Sequence, residues 1–287
     1  MNTLEYDYLC KLLKERSGLV LSSDEQYLLE SRLLPIVRRL DLGSLGGLVA
    51  KLRAPGSEPL IVQVVEAMTT NESFFYRDKV PFDNFNEAIM PALIAVCANQ
   101  RRLRIWCAAA STGQEAYSLA MCLKEMRHKL NGWRIDIVAT DLSLEVLEKA
   151  TAGVYSQFEV QRGLPVQMLV RYFTQNGDTW QISPEIRAMV QYRSLNLLRD
   201  FGSLGNFDVV FCRNVLIYFD QPTKVDILHR IAQLMPPDGY LVLGAAETVV
   251  GLTERFKPLA DRRGLYALND GVGATLATPR LAVAVAR

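Results

Sequence analysis

Four short segments of this chain gather polar and charged residues whose types limit the chemistry they can do. The first, AAASTGQEAYS at 108–118, follows an apolar run and opens a helix. It holds one glycine, Gly113, whereas a loop that wraps a pyrophosphate needs several so that backbone can approach phosphate. It also sets Glu115 in the first helical turn. A helix N-terminus attracts anions, but a carboxylate already there repels a phosphate, so the group bound is neutral or cationic. A second reading has Glu115 merely complementing the helix dipole. The next segment ends the run RIDIVAT in Asp141. An acidic residue there accepts hydrogen bonds from ribose hydroxyls, or else caps the helix LSLEVLEKA that follows.

The third segment, CRNVLIYF at 212–219, puts Arg213 and Asn214 at the end of an apolar run. Such loop positions face a site or cap a helix. Tyr218 beside them reads by default as a core aromatic with its hydroxyl bonded. The fourth, TTNESFFYR at 69–77, brings Asn71, Ser73 and Arg77 close together. On a helix, Ser73 and Arg77 would share a face. The plainer alternative has Asn71 and Ser73 capping a helix and Arg77 solvated. Phe74 and Phe75 demand burial, which would pin this segment to the ligand edge of a sheet. Glu115 and Asp141 together suit a nucleoside without phosphates and with a positive group, and S-adenosylmethionine has those parts. Other chemistries are poorly supplied. The five cysteines, at 10, 97, 107, 122 and 212, form no CxxC pair, which indicates neither a disulfide framework nor a zinc site. His128 and His229 are the only histidines and have no HExxH or similar spacing, so a histidine metal site or a serine triad is poorly supplied and no metal is expected.

The elements that must position these residues follow from periodicity. Residues 1–70 read as helices: Leu4, Tyr8, Leu12 and Leu13 mark one face, Gly18 stops the first helix, and Ser23 and Asp24 are cap candidates for the next. Pro35 inside that second pattern predicts a kink or a break. From about 103 the rhythm becomes strand and helix in alternation. Strands are expected at 103–109, 134–140, 190–195, 207–213 and 239–245, with a short one at 265–268. Helices are expected at 112–126, near 143–150 and near 222–235. That rhythm predicts an α/β fold with a parallel sheet covered on both faces. The stretch 151–189, with the strand candidate TWQI at 179–182, is too long for a crossover and reads as an inserted subdomain. The boundaries expected are a helical domain at 1–70, a linker at 71–102, a catalytic domain at 103–268 and a disordered tail at 269–287.

Composition sets the class. The chain has 287 residues, 49 % hydrophobic and 22 % charged, which is ordinary for a globular protein with a full core. Lys+Arg is 32 and Asp+Glu is 31, so no global field draws it to nucleic acid or membrane. Glu5 and Asp7 stand where a signal peptide needs positive charge, and the longest apolar run, PALIAVCA at 91–98, is far short of a span. The expectation is a soluble, reduced, cytoplasmic protein.

TTNESFFYR, WCAAASTGQEAYSLA, ATDLSLEVLEKA, SLNLL and FDVVFCRNVLIYFD, in this order, resemble the chemotaxis receptor methyltransferases of the CheR type, over about residues 3–268. The resemblance implies a class I S-adenosylmethionine-dependent methyltransferase, Rossmann-like, with a small all-α N-terminal domain and an inserted β-subdomain. It implies esterification of glutamate side chains on chemoreceptor helices, with S-adenosylhomocysteine as product. By the same resemblance Asn71, Ser73 and Arg77 contact the cofactor, Glu115 holds its ammonium and Asp141 its ribose. Asn196 and Leu197 flank the adenine, and Arg213 and Asn214 complete the pocket. Arg77 and Tyr218 lie near the transferring methyl. Receptor docking is expected of the N-terminal domain, where Arg32 and Arg39, seven apart, and the adjoining Arg38 make one side of the second helix basic if Pro35 does not break the face; the alternative is a solvated charged face. The enzyme would be a monomer at chemoreceptor arrays, with no nucleic-acid partner and no membrane insertion.

Two departures stand out. Where family members often carry His-Ser-Glu after the last long strand, this chain has Ala245-Ala246-Glu247, which weakens any role for a histidine there. The hairpin FTQNGDTWQI at 173–182 lacks the glycine-rich extension of members that dock on a receptor's C-terminal pentapeptide, and so resembles the pentapeptide-independent members. Two other readings stay open: a methyltransferase with another acceptor, and a non-catalytic cofactor-binding module. A nicotinamide dehydrogenase is disfavoured by the single glycine of the first loop.

Overall fold

The computed structural model describes residues 2–269. The expected disordered tail therefore lies, apart from Asn269, outside the described residues. The chain starts with four helices, α1 (Thr3–Ser17), α2 (Gln26–Arg39), α3 (Leu45–Leu52) and α4 (Glu58–Met68). Asn2 and Glu5 cap α1 reciprocally, side chain to backbone, at 2.9 Å each way. Gly18, at φ 79°, ends it in the left-handed conformation. The cap ahead of α2 is Ser22 rather than Ser23 or Asp24. Its N–H and hydroxyl both donate to Glu25, and a 3-10 turn precedes the helix. Helix α2 runs through Pro35 without a break. Pro35 and Ser31, whose carbonyl loses its amide partner to the proline, are both exposed. Leu9, Leu13, Leu29, Leu33, Leu48 and Val64 form the fully buried centre of this bundle.

The segment 69–78, between α4 and α5 (Val80–Asn84), is not helical. Tyr76, Asp78 and Lys79 have φ of 51°, 67° and 50°, left-handed values that no helix admits. The expectation that Ser73 and Arg77 share a helical face is therefore corrected, as is the capping alternative. A π-helical stretch (Phe85–Ile89) joins α5 to α6 (Met90–Val96).

The catalytic region alternates β1 (Arg102–Ala108), α7 (Gln114–Glu125), β2 (Arg134–Asp141) and α8 (Leu144–Ala152). An insert follows: β3 (Val154–Ser156), α9 (Gln157–Gln161), α10 (Val166–Tyr172), β4 (Phe173–Asn176), β5 (Thr179–Ile182) and α11 (Pro184–Arg187). The chain then returns through β6 (Val190–Ser194), β7 (Val209–Cys212), α12 (Gln221–Gln233), β8 (Tyr240–Leu243), β9 (Phe256–Pro258) and β10 (Leu265–Leu268). The main sheet has the order β6-β2-β1-β7-β8-β10-β9, and the insert contributes a separate sheet, β3-β5-β4. Strands β6, β2, β1, β7 and β8 are parallel, and β10 runs antiparallel to β8 and β9. The buried parallel strands are the apolar runs read from the sequence. Strand β9 was not among them, because three residues are too few to show alternation.

Register explains why distant loops meet. Ala108 pairs with Thr140 on one side and with Cys212 on the other. Ala109, Asp141 and Arg213 therefore leave the sheet at one level, on either side of the point where strand order reverses. Such a point is where open α/β sheets bind ligands. Likewise Asp141 pairs with Ser194, and Cys212 with Leu243, which brings in the loops that begin at Leu195 and Gly244.

Candidate functional site

One cavity of about 1050 Å³, counted out to its opening, lies at this edge. Asn71, Ser73, Arg77, Glu115, Asp141, Asn196, Leu197, Arg213, Asn214 and Tyr218 all line it. Every residue that the sequence nominated for the cofactor or the methyl is thus in one place. Arg32, Arg38 and Arg39 lie elsewhere, on α2.

Asp141 is 8 % exposed, and its carboxylate accepts the N–H groups of Ser111 (2.8 Å) and Ser143 (3.0 Å). It is not the cap of α8. Ser143 is, with its hydroxyl accepting from Val146. Burial raises the Asp141 pKa, against the pull of those amide bonds. The loop it braces turns at Gly113, at φ 92°, where a Cβ would lie 2.5 Å from the Tyr192 hydroxyl. That single glycine serves the turn and its packing.

Glu115 and Arg213 form a buried pair, Oε2 to Nη1 at 2.7 Å. Arg213 also reaches Asp78 at 2.7 Å and the carbonyl of Arg77 at 3.1 Å. Burial pushes the Glu115 carboxyl above its usual range, Arg213 opposes that rise, and the charge of Glu247 adds to it. With Arg213 held by two carboxylates, the cavity offers no free guanidinium at that point for a phosphate. It offers instead Glu115 Oε1 for a cation.

The linker is held by burial and hydrogen bonds. Phe75 is fully buried, its ring 5.0 Å from Tyr155 and 5.5 Å from Phe173, edge-on to both. This is the pinning that the paired phenylalanines demanded, although Phe74 stays half-buried. A Cβ on Gly163 would lie 2.1 Å from the Phe75 carbonyl, so the RGLP loop can approach only as glycine. Tyr155 also donates to the Thr112 carbonyl at 2.8 Å, which joins the insert to the loop after β1. Arg77 donates to the Glu72 carbonyl at 2.7 Å and stands 5.5 Å from the Phe74 ring centre.

The helical domain closes one side of the cavity through Ser17 and Leu19. The Asn196 amide donates to the Arg16 carbonyl (2.7 Å), and the Val20 N–H to the Tyr218 carbonyl (3.0 Å). A Cβ at Gly18 would lie 2.7 Å from the Phe219 ring. Arg32 binds the carbonyls of Met68 and Thr69 at 2.7 and 2.9 Å, tying α2 to the linker.

Sequence reasoning gave no role to Asp78, Ser111, Tyr155 or Glu247. Glu247 accepts four backbone N–H groups, from Asn214 (2.8 Å), Val215 (2.9 Å), Leu216 (2.8 Å) and Gly244 (2.7 Å). A carboxylate four residues after an apolar strand end, in place of a loop's usual small polar residue, was the available signal. Among the described residues no cluster of potential ligands could hold a metal, and no helix is long and apolar enough to cross a membrane.

The donor set fits S-adenosylmethionine: a partly buried acid with one free oxygen for an ammonium, a second acid at the end of β2 for a ribose diol, and no anion-binding glycine loop. Fold and site together define a class I S-adenosylmethionine-dependent methyltransferase. Comparison with known families is specific. The all-α domain of CheR methyltransferases matches residues 4–69, and their S-adenosylmethionine-binding domain matches 71–265. The chain is 42 % identical to the chemotaxis protein methyltransferase Cher2 of Pseudomonas putida, over 88 % of this chain and 94 % of that one. It is 44 % identical to chemotaxis protein methyltransferase 1 of Pseudomonas aeruginosa, over 85 % and 90 %. With chemotaxis protein methyltransferase 1 of Vibrio cholerae it shares 38 %, over 91 % and 95 %. The chain belongs to the CheR family and is an S-adenosylmethionine-dependent protein methyltransferase.

Proposed function

We propose that the enzyme methylates glutamate side chains of chemoreceptors, forming methyl esters for chemotactic adaptation. The observation that carries the reading is the convergence of Glu115, Asp141, Arg77 and Tyr218 on one cavity walled partly by the helical domain. When bound, S-adenosylmethionine supplies a methyl group on a positively charged sulfur. A glutamate carboxylate is already ionised at neutral pH, with an ordinary pKa of about 4.3, so the chain need not supply a base. Its task is to orient the carboxylate and exclude water. Arg77 is suited to aiming the acceptor, since a guanidinium offers paired donors to a carboxylate. Tyr218 offers one hydrogen bond or a wall. Glu115 holds the ammonium and Asp141 the ribose. Asn71, Ser73, Leu197, Arg213 and Asn214 shape the remainder. The side chain of Asn196 is engaged with Arg16 and Leu198, so its contact with adenine would run through the main chain.

The deciding experiment transfers label from S-adenosylmethionine to chemoreceptor-containing membranes, then treats them with base and traps methanol. Base-labile label on the receptor band is the expected result. Base-stable label, or none despite cofactor binding, would transfer the reading to another acceptor or to a silent binding module.

Arg38 and Arg39 are exposed on α2, with Arg39 also bonded to Gln63. They form the basic face proposed for docking on acidic receptor helices, and Arg32 adds charge while its hydrogen bonds hold the linker. Complementary charge acts mainly on the association rate. Reversing both Arg38 and Arg39 to Glu should slow receptor methylation about tenfold or more at low salt, with cofactor affinity unchanged. An unaltered rate would remove this face from docking.

The insert's hairpin, β4–β5, turns at Gly177 without an extension. We infer docking without a receptor C-terminal pentapeptide. Deleting that tail from the receptor should leave affinity within about threefold, whereas a loss of more than about a hundredfold (roughly 2.7 kcal/mol) would contradict the inference. The reading places the enzyme in the cytoplasm, as a monomer recruited to receptor arrays.

A further inference from the structure

We propose that Glu247 is a positioning residue for methyl transfer: its buried carboxylate clamps the turn that carries Asn214 and Tyr218 into the cavity wall. The residue is 9 % exposed. Its Oε2 accepts the N–H groups of Asn214 and Gly244, and its Oε1 those of Val215 and Leu216. Three consecutive amides turned toward one point make a concavity that binds anions. Here the chain fills it with its own carboxylate, which fixes the turn.

Asn214 has φ 59°, the left-handed conformation that asparagine tolerates better than most side chains, which turns the chain sharply after the strand. The 3-10 turn Leu216–Tyr218 starts two residues later, so its direction is set where the carboxylate grips. Register supplies the neighbour: Cys212 pairs with Leu243, and Gly244 therefore leaves the sheet beside Arg213. A Cβ at Gly244 would lie 2.7 Å from Glu247 Oε2 and 2.8 Å from Asn214 Nδ2. Gly244 has to be small because the clamp closes over it.

The four amides begin at Asn214, beyond Arg213. Asp141 is braced separately by Ser111 and Ser143, and Glu115 by Arg213. Loosening the clamp therefore moves Asn214 and Tyr218 while leaving the braces of both cofactor carboxylates in place. The kinetic signature is a fall in kcat that exceeds the change in KM for S-adenosylmethionine to which Asn214 and the lost charge contribute.

Two variants disturb the clamp by different means. Glu247→Gln keeps the size but turns an amide NH2 against two N–H donors. Gly244→Ala keeps the carboxylate and pushes on its Oε2. Each should lower kcat at saturating S-adenosylmethionine about tenfold or more, with KM changed less than about threefold. Thermal melting supplies the folded fraction for the correction. If Glu247→Gln does not fold, Gly244→Ala carries the test. A kcat near normal per folded enzyme, or a raised KM with kcat intact, would overturn the proposal. The assay rests on the proposed acceptor only for its substrate. The unaltered enzyme labels the same membranes alongside, so its silence indicts the acceptor, and a silence confined to the variants supports the clamp.

Discussion

Arg77→Ala is expected to lower turnover about a hundredfold or more, because it deletes the donor pair that aims a carboxylate at the methyl. The structure makes this a clean substitution. The Arg77 main chain is held from outside: its carbonyl accepts from Arg213, and the neighbouring Tyr76 N–H donates to the Ser118 hydroxyl at 3.0 Å. Phe75, one residue further, is locked in the core. Removing the guanidinium therefore costs its bond to the Glu72 carbonyl and its approach to Phe74 but leaves the segment in place. Arg77→Lys should restore only part of the activity, since an ammonium is a point donor and cannot offer the paired geometry. The measurement is kcat at saturating S-adenosylmethionine, with a binding isotherm to confirm occupancy. Near-normal turnover in Arg77→Ala would remove this residue from the mechanism.

Glu115→Gln should weaken S-adenosylmethionine binding about 30- to 150-fold, the loss of one charge-assisted bond of about 2–3 kcal/mol. S-adenosylhomocysteine carries the same ammonium and should lose as much, which separates this contact from any effect on the sulfonium. Calorimetric titration of both compounds decides it, and an unchanged affinity for either would release Glu115 from the role. A pH dependence accompanies the prediction. Burial raises the pKa of Glu115 and of Asp141 in the free protein. A folded-state pKa above the unfolded one adds stability that is fully present below the unfolded pKa and is lost as pH rises through the folded one. The ligand works in the opposite sense, because its ammonium requires the ionised carboxylate. Affinity should be full above the raised pKa and fall as pH drops through it, beginning at a higher pH than an exposed glutamate would give. In Glu115→Gln the part of that dependence due to Glu115 should vanish, and Asp141 should carry what is left.

Much of the fold was legible because its signals are local. Continuous apolar runs marked β1, β2, β7 and β8, since strands covered on both faces need no polar alternation. Helix α1 ended at Gly18 as read, because only glycine takes that left-handed cap without cost. The cap was missed by one residue: Ser22 caps the 3-10 turn that leads into α2, and Glu25 reaches back to it. Pro35 looked like a helix breaker, but the bundle core packed on the other face of α2 outweighs the one lost hydrogen bond.

The chemical character of the site also followed from the sequence alone. One glycine and one glutamate after β1, with an aspartate after β2, excluded a pyrophosphate loop and suited a cationic nucleoside, because those preferences depend on residue type and on place along a strand. Tertiary structure decided what those residues actually do. Only the register of β1 between β2 and β7 brings Ser111, Asp141 and Arg213 to one level. Arg213, read as a pocket residue, turned out to be neutralised between Glu115 and Asp78, partners 98 and 135 positions away. The linker's four-residue spacing suggested a helix, yet burial of Phe75 and the bond from Tyr76 to Ser118 hold it in left-handed turns instead. Glu247 offered only its place after an apolar strand as a signal, since its four donors are backbone amides, and backbone amides are the same in every sequence until the chain folds.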